Sequence, residues 1–85
     1  MFLEIITPDK KVFEGEVESA TFPGSEGSFQ VLENHAPMIS SLGRGAVVYK
    51  DKAGVHEMEV EGGVVEVLKN KVILLAESVI SAPQK

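Results

Sequence analysis

Apolar and polar residues alternate with a period of two along most of this 85-residue chain, and no stretch carries the spacing of an amphipathic helix. Residues 2–7 are apolar and β-branched and end at the turn signal Pro8-Asp9-Lys10. Residues 11–22 alternate, with Glu14, Glu16 and Glu18 on one side, and Gly15 within that run predicts a bulge. Gly24 and Gly27 bracket Ser25-Glu26 and predict a tight turn, after which Phe29 and Val31 alternate with Ser28 and Gln30. Asn34-His35-Ala36-Pro37 reads as a turn leading into Met38, Ile39 and Leu42. Gly43-Arg44-Gly45 reads as another. A strand over 46–50 then closes through Asp51-Lys52-Ala53-Gly54 onto a strand over 55–61, with His56, Met58 and Val60 on one face and Glu57, Glu59 and Glu61 on the other. Gly62-Gly63 breaks the pattern, 64–68 resumes it, Lys69-Asn70 turns, and 71–77 is the last strand. Residues 72–75 are apolar without alternation, which predicts a strand covered on both sides.

Turn signals recur roughly every 8–12 residues with no helix between them, the signature of an all-β antiparallel sandwich or barrel. The expected core includes Phe2, Ile5, Phe13, Val17, Phe22, Val31, Val60, Val65, Val67, Ile73 and Leu75. The chain reads as one domain over 1–78 followed by a flexible, polar tail over 79–85 that contains Pro83.

Composition narrows the function classes. The formal charge is −5 and the pI about 4.9, which argues against nucleic acid and anionic lipid and for a basic partner surface. There is no cysteine, so disulfides and thiolate metal sites are excluded. No run approaches the roughly 20 apolar residues of a membrane span, and the N-terminus lacks the pattern of a signal peptide.

The chemistry on offer is sparse. His35 and His56 are the two histidines. His56 shares an apolar stripe with Met58 and Val60, which favours packing over metal ligation. His35 precedes Ala-Pro and is either bonded to local backbone or a polar anchor in an interface. The glutamate trios line solvated strand faces. Gly24-Ser25-Glu26-Gly27 lacks the Lys-Ser/Thr and the following helix of a phosphate loop. No nucleophile–base pair is apparent.

Three stretches in order, LEIITPDKKVFEGEVES at 3–19, FPGSEGSFQVLENHAPMI at 22–39 and EGGVVEVLKNKVILLAES at 61–78, with the hairpin between them, resemble the N-terminal domain of the epsilon subunit of bacterial F-type ATP synthase. The resemblance implies a two-sheet antiparallel β-sandwich of about ten short strands. It also implies a non-catalytic rotor subunit of the central stalk, with no cofactor and no metal. Such a subunit couples proton flow to ATP synthesis and is a monomer when isolated. It is held peripherally on the cytoplasmic face of the bacterial inner membrane through its complex. Carried over by position, the residues facing the gamma subunit are Thr7, His35, Ala36, Met38, Ile39 and Ser40. Those facing the c-ring form the loop Glu26, Gly27, Ser28, Phe29 and Gln30. Ser28 stands where many members carry an acidic residue, and Glu26 or Glu33 is the candidate to supply that charge. Typical bacterial members continue into a C-terminal helical hairpin that brakes ATP hydrolysis. With 85 residues the expectation is a naturally short form or the first domain alone, without the brake or the family's nucleotide site. The rival reading is a free-standing β-sandwich that binds a small ligand, or a metal-dependent enzyme using His35 and His56. A ligand module calls for a pocket of roughly 300 Å³ or more.

Overall fold

A computed structural model describes residues 1–81 and contains β-strands with no helix. The strands are β1 (Phe2–Ile6), β2 (Lys11–Glu16), β3 (Ser19–Gly24), β4 (Gly27–Leu32), β5 (Met38–Asp51), β6 (Gly54–Leu68) and β7 (Lys71–Ser81). They hydrogen-bond in the order β2-β1-β7-β6-β5-β3-β4. Every ladder is antiparallel except β1 with β7, where Phe2 lies opposite Lys71 and Ile6 opposite Leu75 in parallel register. The series doubles back on itself. Phe13 on β2 meets Tyr49 on β5 at 4.5 Å between ring centroids, although three strands separate them in the hydrogen-bonded order.

Seven strands stand where about ten were expected, and the glycines explain the difference. β5, β6 and β7 are 14, 15 and 11 residues long, and each serves both layers. On β6 the buried positions are Met58 and Val60 before Gly62-Gly63, then Val65 and Val67 after it. On β5 they change from Leu42 to Val47 and Tyr49 across Gly43-Arg44-Gly45. On β7 they run Val72, Leu74, Ala76, and the next apolar residue packed on the core is Val79. The inward face thus changes parity at one level in all three strands, as happens where strands pass from one packed layer to the other. Gly62 and Gly63 take φ of 74° and 137° there, so the segments read as breaks are bends inside continuous strands. Gly45 has a second reason: a Cβ on it would lie 2.8 Å from Pro23 Cβ. Pro23 has no N–H to give, and the β3–β5 ladder is irregular between Thr21 and Gly24.

Other local expectations divide. Gly24 and Gly27 pair across a two-residue turn, Asp51 and Gly54 pair across Lys52-Ala53, and Lys69 and Asn70, at φ of 52° and 61°, form a third tight hairpin. The bulge expected at Gly15 is absent, since Gly15 pairs regularly with Leu3; the irregularity falls between Ile5 and Ile6. β7 runs through Ser81, beyond Ser78 where the domain was expected to end. The tail proposed for 79–85 otherwise falls largely outside the described residues.

The core joins Leu3 and Ile5, Phe22, Val31, Val47, Met58, Val60, Val65, Val67, Val72 and Leu74, all at most 2% exposed. Ile5, Val17, Phe22, Val31, Val60, Val65 and Val67 are buried as expected, and Phe13 packs against them. Phe2, Ile73 and Leu75 are not part of this cluster. Leu75 is 52% exposed, so β7 is covered on one side only. A one-residue change of phase moves a side chain to the opposite face, and four apolar residues in a row give no phase.

Candidate functional site

The faces of β1, β7, β6 and the first residues of β5 that point away from the core form an apolar strip. Residues opposite one another in a sheet project to the same side. One row is Ser41, Val64, Leu75 and Ile6; the next is Ile39, Glu66, Ile73 and Glu4. Ile39 is 71% exposed, Leu75 52%, Leu68 47% and Val64 42%. Their strand neighbours Val65, Val67 and Leu74 fill the core, so the pleat itself turns the strip outward. Exposed apolar side chains gathered on one sheet face, here interspersed with Ser41, Glu66 and Glu4, make this face the candidate interaction surface. At one corner a hollow of about 380 Å³ is lined by Pro37, Met38, Ile39, Glu66, Val67 and Leu68. At the far end of β1 a hollow of about 250 Å³ is lined by Ile6, Thr7, Pro8, Leu75 and Ala76.

The residues expected to face gamma lie at these corners and do not form a single cluster. Thr7 directly follows β1, and its Oγ1 donates to the Lys10 carbonyl at 3.2 Å. Met38, Ile39 and Ser40 open β5 three strands away in the hydrogen-bonded order. Met38 is half-buried against the core, and Ile39 projects. His35 and exposed Ala36 sit in the loop before β5, where His35 Nδ1–H donates to the Ala36 carbonyl at 2.7 Å. That loop is tied to the rest of the fold from outside itself. The Asn34 amide donates to Asn70 Oδ1 at 2.7 Å, and Asn70 Nδ2 donates to Glu33 Oε2 at 2.7 Å. The α-ammonium of Met1 donates to Glu33 Oε1 at 2.7 Å. The ammonium, followed by the Asn70 amide, holds the Glu33 carboxyl below the usual carboxylate range; reciprocally, Glu33 raises the Met1 amine. Each carboxylate oxygen of Glu33 thus has one partner within the fold, while the side chain stays more than half exposed.

The residues expected to face the ring do not make a loop. Ser25 and Glu26 form the turn, while Gly27, Ser28, Phe29 and Gln30 belong to β4. Glu26, Gly27, Ser28 and Gln30 are exposed. Phe29 faces inward against Phe22, with ring centroids 5.7 Å apart, so it contributes to packing rather than to an outward contact. Strand alternation overrides the loop reading of this segment.

The histidines are not brought together. His56 Nε2 meets Asp51 Oδ1 at 2.9 Å and its ring stacks on Tyr49 at 5.1 Å, which is the packing role expected of it. Among the described residues no group of three or more His, Asp or Glu side chains could hold a metal ion. A hollow of about 710 Å³ lies between the N-terminus and the Asp51–Gly54 turn, lined by Met1, Val17, Lys52, Ala53 and four carboxylates. It exceeds the size set for a ligand module. It is an open groove with four carboxylates at its rim, and an open groove leaves much of a ligand's surface in water, where small-molecule sites bury most of it.

Sequence reasoning missed Val64, Leu68 and Leu75 as surface residues and Asn70 as the partner of the His35 loop. The non-alternating run at 72–75 was the available signal for Leu75. Nothing in the sequence pairs Asn70 with Asn34, 36 positions away.

A family model described as "ATP synthase, Delta/Epsilon chain, beta-sandwich domain" matches residues 1–82. The chain is 46% identical over 77 residues to the ATP synthase epsilon chain of Maridesulfovibrio salexigens, covering 91% of this chain and 54% of that one. It is also 46% identical over 78 residues to the epsilon chain of Nitratidesulfovibrio vulgaris, covering 92% and 58%. The chain thus spans a little over half the length of these curated relatives. Among solved structures, it is similar to a chain of the Euglena gracilis mitochondrial ATP synthase OSCP/F1/c-ring assembly. The TM-score is 0.85 at 21% identity, with 93% of this chain and 51% of that one covered. A chain of the Tetrahymena thermophila central stalk and c-ring gives 0.80 at 16% identity, covering 94% and 65%.

Proposed function

The chain belongs to the delta/epsilon β-sandwich family of ATP synthase, and from that membership we propose that it serves as a rotor component of the central stalk of a proton-translocating F-type synthase. It makes and breaks no bond. Its work is to hold gamma on one surface and the polar loops of the c-ring on another, so that ring rotation reaches the catalytic head. It resides at the membrane only through that complex, on the cytoplasmic face of a bacterial inner membrane.

The observation that carries this reading is the exposed strip with Ile39, Val64 and Leu75 along it and a hollow at each end. A stable interface has an apolar centre and pockets that accept anchor side chains. The net charge of −5 suits a basic surround on the partner. The exposed turn at Ser25-Glu26 is the ring-side element, with Glu26 its outward charge. The test is co-expression with the gamma subunit of a bacterial synthase, followed by size-exclusion chromatography. Co-elution as a one-to-one complex is expected. Elution of the two chains apart, at micromolar concentration, overturns the reading.

A further inference from the structure

We propose that Glu33 and Asn70 form a clasp that fixes the loop carrying His35 and Ala36 in its docking conformation, with Glu33 acting through Asn70 as a positioning residue. The loop has little of its own to order it. Pro37 has no N–H, Ala36 is exposed, and the bonds the loop makes locally are two, from the His35 amide to the Leu32 carbonyl at 3.1 Å and from His35 Nδ1–H to the Ala36 carbonyl at 2.7 Å. Asn34, at its start, takes φ of 62°, a left-handed conformation that asparagine adopts more readily than most residues, and its amide is thereby turned away from the local ladder. The tie is the Asn34 amide to Asn70 Oδ1.

The amide of Asn70 is a two-ended connector. Its oxygen accepts from Asn34, and its nitrogen donates to Glu33 Oε2. Only one orientation satisfies both ends. Turned over, it sets an oxygen against the carboxylate and an NH₂ group against an N–H donor. The Glu33 carboxylate therefore selects the orientation that presents an acceptor to the loop. Both residues are themselves anchored. The Met1 ammonium holds the other oxygen of Glu33, and the Asn70 carbonyl accepts from the Phe2 amide at 3.1 Å. The clasp thus joins three sequence-distant points, the N-terminus, the β6–β7 turn and the loop before β5, next to Met38 and the corner hollow. A loop ordered before encounter does not lose that freedom on binding, so the clasp raises affinity without touching the partner.

This inference rests on the docking reading above, and its test separates the two. Asn70→Gly keeps the left-handed backbone at 70 and removes the connector. Glu33→Gln combined with Asn70→Asp reverses the donor and acceptor of the pair, yet still leaves an acceptor for Asn34. Hydrogen exchange of the full chain reports on the amides at 34–36 and 38. Titration with gamma reports on affinity. For Asn70→Gly, faster exchange confined to the loop is expected, with an affinity about five-fold weaker, the equivalent of one neutral hydrogen bond. The reversed pair should recover most of both, whereas Glu33→Gln alone should not. Unchanged exchange in Asn70→Gly overturns the clasp. Faster exchange with unaltered gamma binding overturns its role in docking and leaves the docking reading standing. If the parent chain fails to bind gamma, the docking reading and this role fall together, and the exchange data still judge the clasp itself.

Discussion

The hydroxyl of Ser25 lies 2.6 Å from that of Ser41, and the Ser25 amide donates to the Ser41 carbonyl at 3.0 Å. Ser25 belongs to the turn that carries Glu26, and Ser41 belongs to the strand that carries Ile39. The element proposed to meet the ring is therefore fastened directly to the element proposed to meet gamma. Both hydroxyls are exposed, so Ser41→Ala should cost under about 1 kcal/mol in urea unfolding. It should nevertheless accelerate hydrogen exchange at the amides of Glu26 and Gly27. Ser25→Ala should do the same, and the double variant should add little, because either change removes the same bond.

Ile39→Asp and Leu75→Asp are the informative substitutions on the strip. Both side chains are more than half exposed, so the isolated domain should keep its melting temperature within a few degrees. A carboxylate desolvated against an apolar partner should weaken gamma binding by at least about ten-fold. Isothermal titration with gamma measures this, and unaltered binding by both variants displaces the interface from this face. Met38 is a poor probe by comparison, because its half-buried side chain packs on the core and its loss would confuse folding with docking.

Gly63 should tolerate no side chain. Its φ is 137°, and a Cβ there would press on the Leu75 carbonyl oxygen and lie 2.9 Å from Ala76 Cα. Gly63→Ala should destabilise the domain by about 2–4 kcal/mol, read as a lower urea midpoint. A change below about 0.5 kcal/mol would mean that the bend is not under this constraint.

The Asp51 carboxyl is held below the usual carboxylate range, chiefly by its hydrogen bond with His56 and also by the Ala53 amide at 2.9 Å. A carboxylate whose pKa is lower folded than unfolded stabilises the fold at pH above its unfolded value. That contribution disappears as pH falls through the folded value. The parent chain should therefore lose more stability between pH 6 and about pH 3 than Asp51→Asn does, measured as the difference between their urea midpoints. Parallel curves would show that the β5–β6 turn gains nothing from this charge.

Glu26→Lys should leave the free domain within about 1 kcal/mol of its parent, as expected for an exposed carboxylate. In the assembled enzyme it should reduce ATP-driven proton pumping. Unchanged pumping removes Glu26 from the ring contact.

The sequence made strand identity and most of the core legible because one face of each half-strand is polar. Val60, Val65 and Val67 sit among glutamates and could face only inward. Phase was lost where polar residues were missing, so Ile73 and Leu75 were placed inside when only Val72 and Leu74 are. Strand number was misjudged because a glycine that bends a strand and a glycine that ends one look alike in one dimension. The candidate surface was legible at Ile39 and Thr7. It was not legible at Val64 and Leu75, whose exposure is set by register against β5 and β1, nor at Asn70, whose partner is fixed by the closure of the whole chain.

Because β5, β6 and β7 each pass through both layers, the layers share covalent backbone and cannot slide over one another like two stacked plates. A sideways load applied at Ile39 travels along unbroken main chain to the opposite end of the body. The hydrogen bonds of three neighbouring strands restrain the bends at Gly43-Arg44-Gly45 and Gly62-Gly63 together. Mechanically, the two layers are joined by three continuous strands, so a displacement imposed on one is carried to the other by main chain as well as by side-chain packing.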